Sequence, residues 1–365
     1  MKKIYYLIII LIFYLFILFI LSLAGEAIEI TMGGQLNASL TTVYTEQTGF
    51  ILVPQANLDL ELFLPSWNNN EIKCAGYLFT DVVEGRVDFF WKKLYWKHRF
   101  EDFHLTIGRQ PISWSFGSLL NPVDYTIGAV ALDREYNPKF QNALEIYYPI
   151  NWNTSLSLVA SLPGQDLTWK AGLRGRTLIK DFDVTINYIQ EQIEAGETGG
   201  YRFGITAKGD LGSCGVYSAF GYYSEEKTCS LLVGLDYSYF FPAGNQLYIQ
   251  AESLNIPPEI LSKITGSMMS LSEEEEDKNI HLLAGNISYK IDELSSIGMT
   301  ALYNYSSGSV ILMPVYSNQL STNSTIKVQG GVMTKSMSEA EGSTLEVFFG
   351  KPTQIFLEVS LNHSF

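Results

Sequence analysis

Four histidines, His98, His104, His281 and His363, are the only imidazoles available for acid-base work in a chain of 365 residues. A catalytic imidazole needs a nucleophile within hydrogen-bond reach and a third group to orient its ring. No nucleophile elbow and no Ser/His/Asp grouping accompanies any of the four. Cys74, Cys214 and Cys229 are an odd number without metal-ligand spacing, so neither a disulfide framework nor a zinc site is expected. The run Glu273-Glu274-Glu275-Glu276-Asp277 concentrates charge, but it lacks the alternating ligands and turn glycine of a calcium loop. It reads first as a solvated segment, with divalent-cation binding beside charged lipid headgroups as the sharper alternative. No phosphate loop or nucleotide fingerprint is present, so no catalytic residue, metal or cofactor is expected. A formal charge of −14 argues against a nucleic-acid partner.

The charged residues that remain are distributed by parity. Lys170, Arg174 and Arg176 alternate with Trp169, Ala171, Leu173 and Gly175, and Arg202 and Lys208 alternate with Tyr201, Phe203, Ile205 and Ala207. Asn57, Asp59 and Glu61 oppose Leu58, Leu60 and Leu62, and Gln246, Tyr248, Gln250 and Glu252 share one parity further on. Period two is the signature of strands with one polar and one apolar face. Such strands can do electrostatic rather than covalent chemistry: rows of charge facing an aqueous lumen set ionic selectivity and orient polar solutes.

The composition says which solvent the other face meets. Hydrophobic residues make up 47% and charged residues 17%, yet beyond residue 21 no apolar run approaches the ~20 residues of a membrane helix. From residue 28 onward the chain divides into segments near the ~9 to 11 residues needed to cross a bilayer as tilted strands. Eighteen are expected, at about 29–43, 51–63, 72–81, 86–98, 101–109, 140–149, 152–161, 168–177, 181–191, 200–208, 213–223, 229–240, 245–254, 280–290, 295–305, 308–317, 324–334 and 354–364. The count falls to sixteen if two weak segments drop out, and residues 343–350 are a further candidate. The fold class is an all-β, antiparallel, up-and-down transmembrane barrel with short periplasmic turns and longer external loops. Trp67, Trp91, Trp96, Tyr147, Tyr148, Trp152, Trp169, Tyr239, Phe240, Tyr289 and Tyr316 fall near strand ends and suit interfacial girdles.

Met1-Lys2-Lys3 and the apolar run to Leu21 read as a signal peptide over 1–24, with cleavage after Ala24 or Ala27. Loss of Lys2 and Lys3 takes the formal charge from −14 to −16. The barrel then occupies 25–365. Its last strand places Ile355, Leu357, Val359, Leu361 and Phe365 on one face, and the terminal aromatic resembles the signal that outer-membrane proteins present to the barrel-assembly machinery.

The stretch from Leu105 to Asp124, LTIGRQPISWSFGSLLNPVD, is similar to a motif of alginate-export-type porins and their uncharacterised barrel relatives. There a strand ending in Gly-Arg-Gln runs into a Trp-containing loop with Asn-Pro-x-Asp. The resemblance implies an eighteen-stranded barrel in the bacterial outer membrane, and by analogy a strongly basic conduit for an acidic polysaccharide. The acidic mature charge favours small hydrophilic solutes or anions instead.

Residues 110–139 form the third external connection, and a loop of ~30 residues in a compact protein is usually functional or disordered. Folded into the lumen it would narrow the pore, with Arg109, Gln110, Trp114, Asn121 and Asp124 as candidate constriction residues and Arg109 paired to Asp124. Lys170, Arg174, Arg176, Arg202 and Lys208 form a candidate basic lumen wall, and Asp59, Glu61 and Glu252 a candidate acidic face. The functional expectation is a passive porin for small polar solutes, surrounded by outer-membrane lipid and compatible with homo-oligomerisation. A non-conducting adhesin or structural barrel is the alternative. An outer-membrane hydrolase ranks below both, because only His281 would lie at the external rim.

Overall fold

The computed structural model describes residues 30–45, 49–81, 86–112, 140–161, 169–192, 200–242, 244–257, 279–305, 308–335 and 351–365. The expected leader, most of the 110–139 connection, the acidic run 273–277 and the candidate segment 343–350 lie outside the described residues.

Eighteen strands account for nearly all of them: β1 Thr31–Thr45, β2 Gly49–Phe63, β3 Asn70–Asp81, β4 Arg86–Arg99, β5 His104–Pro111, β6 Phe140–Pro149, β7 Thr154–Ser161, β8 Trp169–Ile179, β9 Phe182–Gln192, β10 Tyr201–Leu211, β11 Cys214–Tyr223, β12 Thr228–Phe240, β13 Gln246–Ile256, β14 Ile280–Lys290, β15 Ser295–Asn304, β16 Ser309–Ser321, β17 Ser324–Lys335 and β18 Lys351–Ser364. Each pairs antiparallel with its sequence neighbours, and β1 pairs with both β2 and β18. The sheet therefore closes on itself and leaves no edge, the condition for a sheet to survive in hydrocarbon.

The expected strands all form, with shifted ends. The fifth begins at His104 rather than 101 because the Phe100 amide donates to the Phe103 carbonyl at 2.9 Å, closing a turn over those residues. Connections alternate in length between the two barrel ends. At one end β8 and β9 are joined by Lys180-Asp181, with Lys180 in the left-handed region at φ 56°. At the other, residues 112–139 separate β5 from β6, and 257–279 separate β13 from β14.

The apolar parity faces out. On β12, Leu231, Val233 and Leu235 are 47, 51 and 47% exposed, while Leu232 between them is fully buried. On β18, Ile355, Leu357, Val359 and Leu361 point out while Glu358, Ser360 and Asn362 point in. A continuous outer belt of Leu, Ile and Val is costly in water and suited to acyl chains. Tyr148, Trp152, Tyr239 and Phe240 are exposed near strand ends, as interfacial aromatics should be, while Tyr316 is exposed in the middle of β16. Tyr147 is a correction to that set: it pairs with His104 on the inner face, their rings 5.6 Å apart.

Candidate functional site: the inner wall

Strand parity and register assign the lumen. On β8 and β10, Lys170, Arg174, Arg176, Arg202 and Lys208 all occupy inward positions, with β9 between them presenting Asp183, Thr185, Asn187 and Ile189. Asp183 takes a two-point contact from the Arg176 guanidinium, whose Nε lies 3.0 and 2.8 Å from its two oxygens. Glu145 on β6 and Asp183 both act on Arg174 electrostatically, yet the Arg174 Nε is buried with no hydrogen-bond partner. By sequence and register, five cations stand against the three carboxylates Asp183, Glu191 and Asp210 on the inward parity of β8–β10, which leaves this sector net positive.

The acidic residues are not gathered opposite. Asp59 and Glu61 on β2 face cations from β4: Lys92 bonds Asp59, and Lys93 lies 3.3 Å from Glu61. Glu71 on β3 continues the ladder to Arg99 at 2.6 Å and Lys73 at 3.5 Å. The cations arise from a β-bulge. Between Ala75 and Gly76 the register skips Lys92, so Lys92 and Lys93 both turn inward although they are consecutive. Alternation alone assigns one of them outward, which is why simple parity misses this ladder; the pair Lys92-Lys93 inside an aromatic segment is the one sequence signal for it.

Glu252 stands apart on β13, seven strands from β2. It is buried, accepting hydrogen bonds from the Tyr217 hydroxyl and from Gln250 Nε2 at 3.2 Å. Tyr217, Gly234 and Glu252 lie in one row across β11, β12 and β13. A Cβ at residue 234 would sit 2.2 Å from the Tyr217 ring, so glycine opens the path that lets tyrosine reach the carboxylate. The expectation of one acidic face is thus corrected: its three members sit in two separate hydrogen-bonded settings, because the strands that carry them are far apart around the barrel.

The inner face also holds an apolar sector. Ile189, Leu232, Leu254, Ile256, Ile280 and Leu282 are buried at inward positions and form one cluster with Ile112, Ala143 and Val159. A uniformly polar lumen is therefore not what the strands build. Period two states which residues share a face, and burial of that face depends on what packs within.

Of the constriction candidates, Gln110 turns inward, is buried and donates from Nε2 to the Ala143 carbonyl at 3.2 Å. Arg109 takes the opposite parity. It stands in register with Leu94 and Asn142 and donates from Nε to the Trp91 carbonyl. Its proposed partner Asp124, with Trp114 and Asn121, lies outside the described residues. Gly108, at φ +125°, backs directly on Leu94 O, where a Cβ would come within 2.3 Å. The histidines are dispersed. His104 faces Tyr147, His98 shares the Asn70 Oδ1 acceptor with Trp96 Nε1, His363 lies 2.9 Å from the Ser324 hydroxyl, and His281 sits near the long-loop end of β14. Phe365 follows β18 and exchanges backbone hydrogen bonds of 3.1 Å with Gly34.

No family model matches the sequence, and no curated relative matches it. Solved structures do resemble the fold. Wzi of Escherichia coli, described as a carbohydrate-binding outer-membrane β-barrel involved in group 1 capsule assembly, aligns over 93% of this chain and 85% of its own, with 11% identity and a TM-score of 0.57. OpdO of Pseudomonas aeruginosa aligns over 92% of this chain and 97% of its own, with 8% identity and a TM-score of 0.58. OccK1 (OpdK) of the same organism aligns over 92% and 98%, with 8% identity and a TM-score of 0.56. The chain has the closed eighteen-stranded antiparallel fold of bacterial outer-membrane barrels.

Proposed function

We propose that the chain is an outer-membrane channel for passive diffusion of small hydrophilic solutes. The observation that carries this reading is the closed ring of eighteen strands with polar and charged side chains on its inner face, since a barrel of that size encloses more space than side chains alone fill. Anion preference follows from the net-positive sector of Lys170, Arg174, Arg176, Arg202 and Lys208. The 110–139 loop is proposed as the constriction. The support for it is that Gln110 and Ile112, where the chain leaves β5, are both buried on the lumen side. Likeness of the 105–124 motif to alginate-export-type porins supports the same architecture. Residues 1–24 serve in this reading as the export signal and Phe365 as the assembly signal.

Purified protein in planar bilayers should give discrete single-channel currents with anions preferred over cations. Absence of current at every voltage would overturn the proposal.

One observation favours a second reading. The inner apolar sector from Ile112 through Leu282 is the packing expected of a filled lumen, and Wzi is described as carbohydrate-binding. A plugged, non-conducting barrel that binds a partner with its external loops would give no current while remaining folded.

A further inference from the structure

The wall diametrically across from the arginines has a different chemistry. By strand order β18 stands nine strands from β9 in both directions. Around it, the inward positions of β16, β17, β18, β1 and β2 line up in rows. One row reads Gln319, Thr325, Asn362, Asn37, Asn57, and the next reads Ser317, Lys327, Ser360, Ser39, Gln55. Nine of the ten side chains are uncharged amides or hydroxyls, a composition shared by no other sector of the described inner face.

These groups are also available. Asn37, Asn57 and Asn362 are half-buried at lumen-facing positions rather than packed into the wall, unlike Thr185 and Asn187 across the barrel, which are fully buried. Gln35 Nε2 donates to Asn362 Oδ1 at 2.6 Å and so holds that amide in place. The side chains of Asn57, Ser39 and Gln55 are open to the lumen and have no hydrogen-bond partner among the described residues, whereas Ser360 and the Asn37 Oδ1 are buried and do not serve the solute.

Amides and hydroxyls both donate and accept, which is the pattern a sugar ring presents in return. Exchanging water for a solute hydroxyl on such groups costs little, because hydrogen bonds of similar strength are traded one for one. The two rows carry one formal charge, Lys327, and the carboxylates of Glu358 and Asp59 stand in the rows that flank them.

We infer that the β16–β2 wall is a track for uncharged polyhydroxylated solutes, separate from the positive sector across the lumen. The inference rests on the channel reading above and deepens it: one pore carries neutral sugars along one wall and draws anions to the other. Binding is weak and multivalent, as passage requires.

The test uses full-length protein in planar bilayers, with potassium chloride as the conducting salt and a neutral glucose trisaccharide as the probe. The trisaccharide should interrupt the current in a concentration-dependent way. The triple variant Asn37→Leu, Asn57→Leu, Asn362→Leu should weaken that block by about tenfold, the loss expected when a few solute hydrogen bonds of this kind disappear. Its chloride current should persist. The pair Arg174→Glu, Arg202→Glu should change ion preference and leave the trisaccharide block in place. Gel mobility before and after heating reports whether each variant folds. If the triple variant does not fold, the single variants Asn57→Leu and Gln55→Leu carry the same comparison with a smaller loss. A conducting wild-type channel that the trisaccharide never blocks overturns the track and leaves the channel reading standing. A block lost in the arginine pair but kept in the amide variants places the sugar on the other wall and also overturns it. Absence of any current removes the channel reading and the track together.

Discussion

Two walls of the barrel gather several lysines and arginines at inward positions, β2–β4 and β8–β10, and they treat the charge differently. On β2–β4 the cations of β4 reach across to Asp59, Glu61 and Glu71, so the wall carries many charges and little net field. On β8–β10 the cations sit on two strands separated by β9, and Asp183 answers one of them, Arg176. Similar residue types thus sit in cross-strand ion pairs in one place and in a net-positive group in the other. What separates them is which strand each charge has for a neighbour, together with the bulge that turns Lys92 and Lys93 to the same side.

The comparison can be broken most sharply at the arginines. Arg174→Glu with Arg202→Glu should reverse the ion preference, lowering the anion-to-cation permeability ratio by at least about tenfold, because charge rows lining a pore dominate its selectivity. Reversal potentials in a salt gradient measure this. Unchanged potentials would mean that the field arises elsewhere.

The next effect lies on the other wall and is structural. Lys92→Met leaves Asp59 facing the lumen without its cation and should cost about 2 kcal/mol of stability, since a partly buried pair is broken on one side only. The temperature at which gel mobility shifts on heating should fall, while ion preference stays close to wild type. A large selectivity change with no loss of stability would show that the ladder is part of the field after all.

Arg176→Gln tests the Arg176–Asp183 ion pair of the positive wall. Because the Arg176 side chain is more than half exposed, its loss should cost no more than about 1 kcal/mol. Anion preference should weaken modestly through loss of a cation, less than in the double reversal.

The smallest effect lies outside both walls, in the turn between β14 and β15. The amide of Leu294, and then that of Ser295, donates to the Asp292 carboxylate and holds its pKa below the ordinary carboxylate value. A depressed carboxyl stabilises the folded turn above its unfolded pKa, and that contribution disappears as pH falls through the lower folded value. Hydrogen exchange at the Leu294 and Ser295 amides should therefore accelerate only on acidification below the usual carboxylate range. Asp292→Ala should show the faster exchange at neutral pH, with conduction unaffected.

The strand count and the closed antiparallel architecture were legible in the residues themselves, as was the alternation that sets Lys170, Arg174, Arg202, Asp59 and Glu252 on the polar parity of their strands, because a strand repeats every two residues and the solvent on each face selects side chains accordingly. Tertiary structure decided who meets whom. Parity puts Arg109 on the opposite face from Gln110, although both belong to one motif. Only register shows Tyr217 crossing Gly234 to Glu252, Lys92 answering Asp59 from two strands away, and the amides of β18, β1 and β2 falling into a row. Those contacts join residues tens to hundreds of positions apart, and local alternation carries no information about them. They depend on how a sheet of eighteen strands closes.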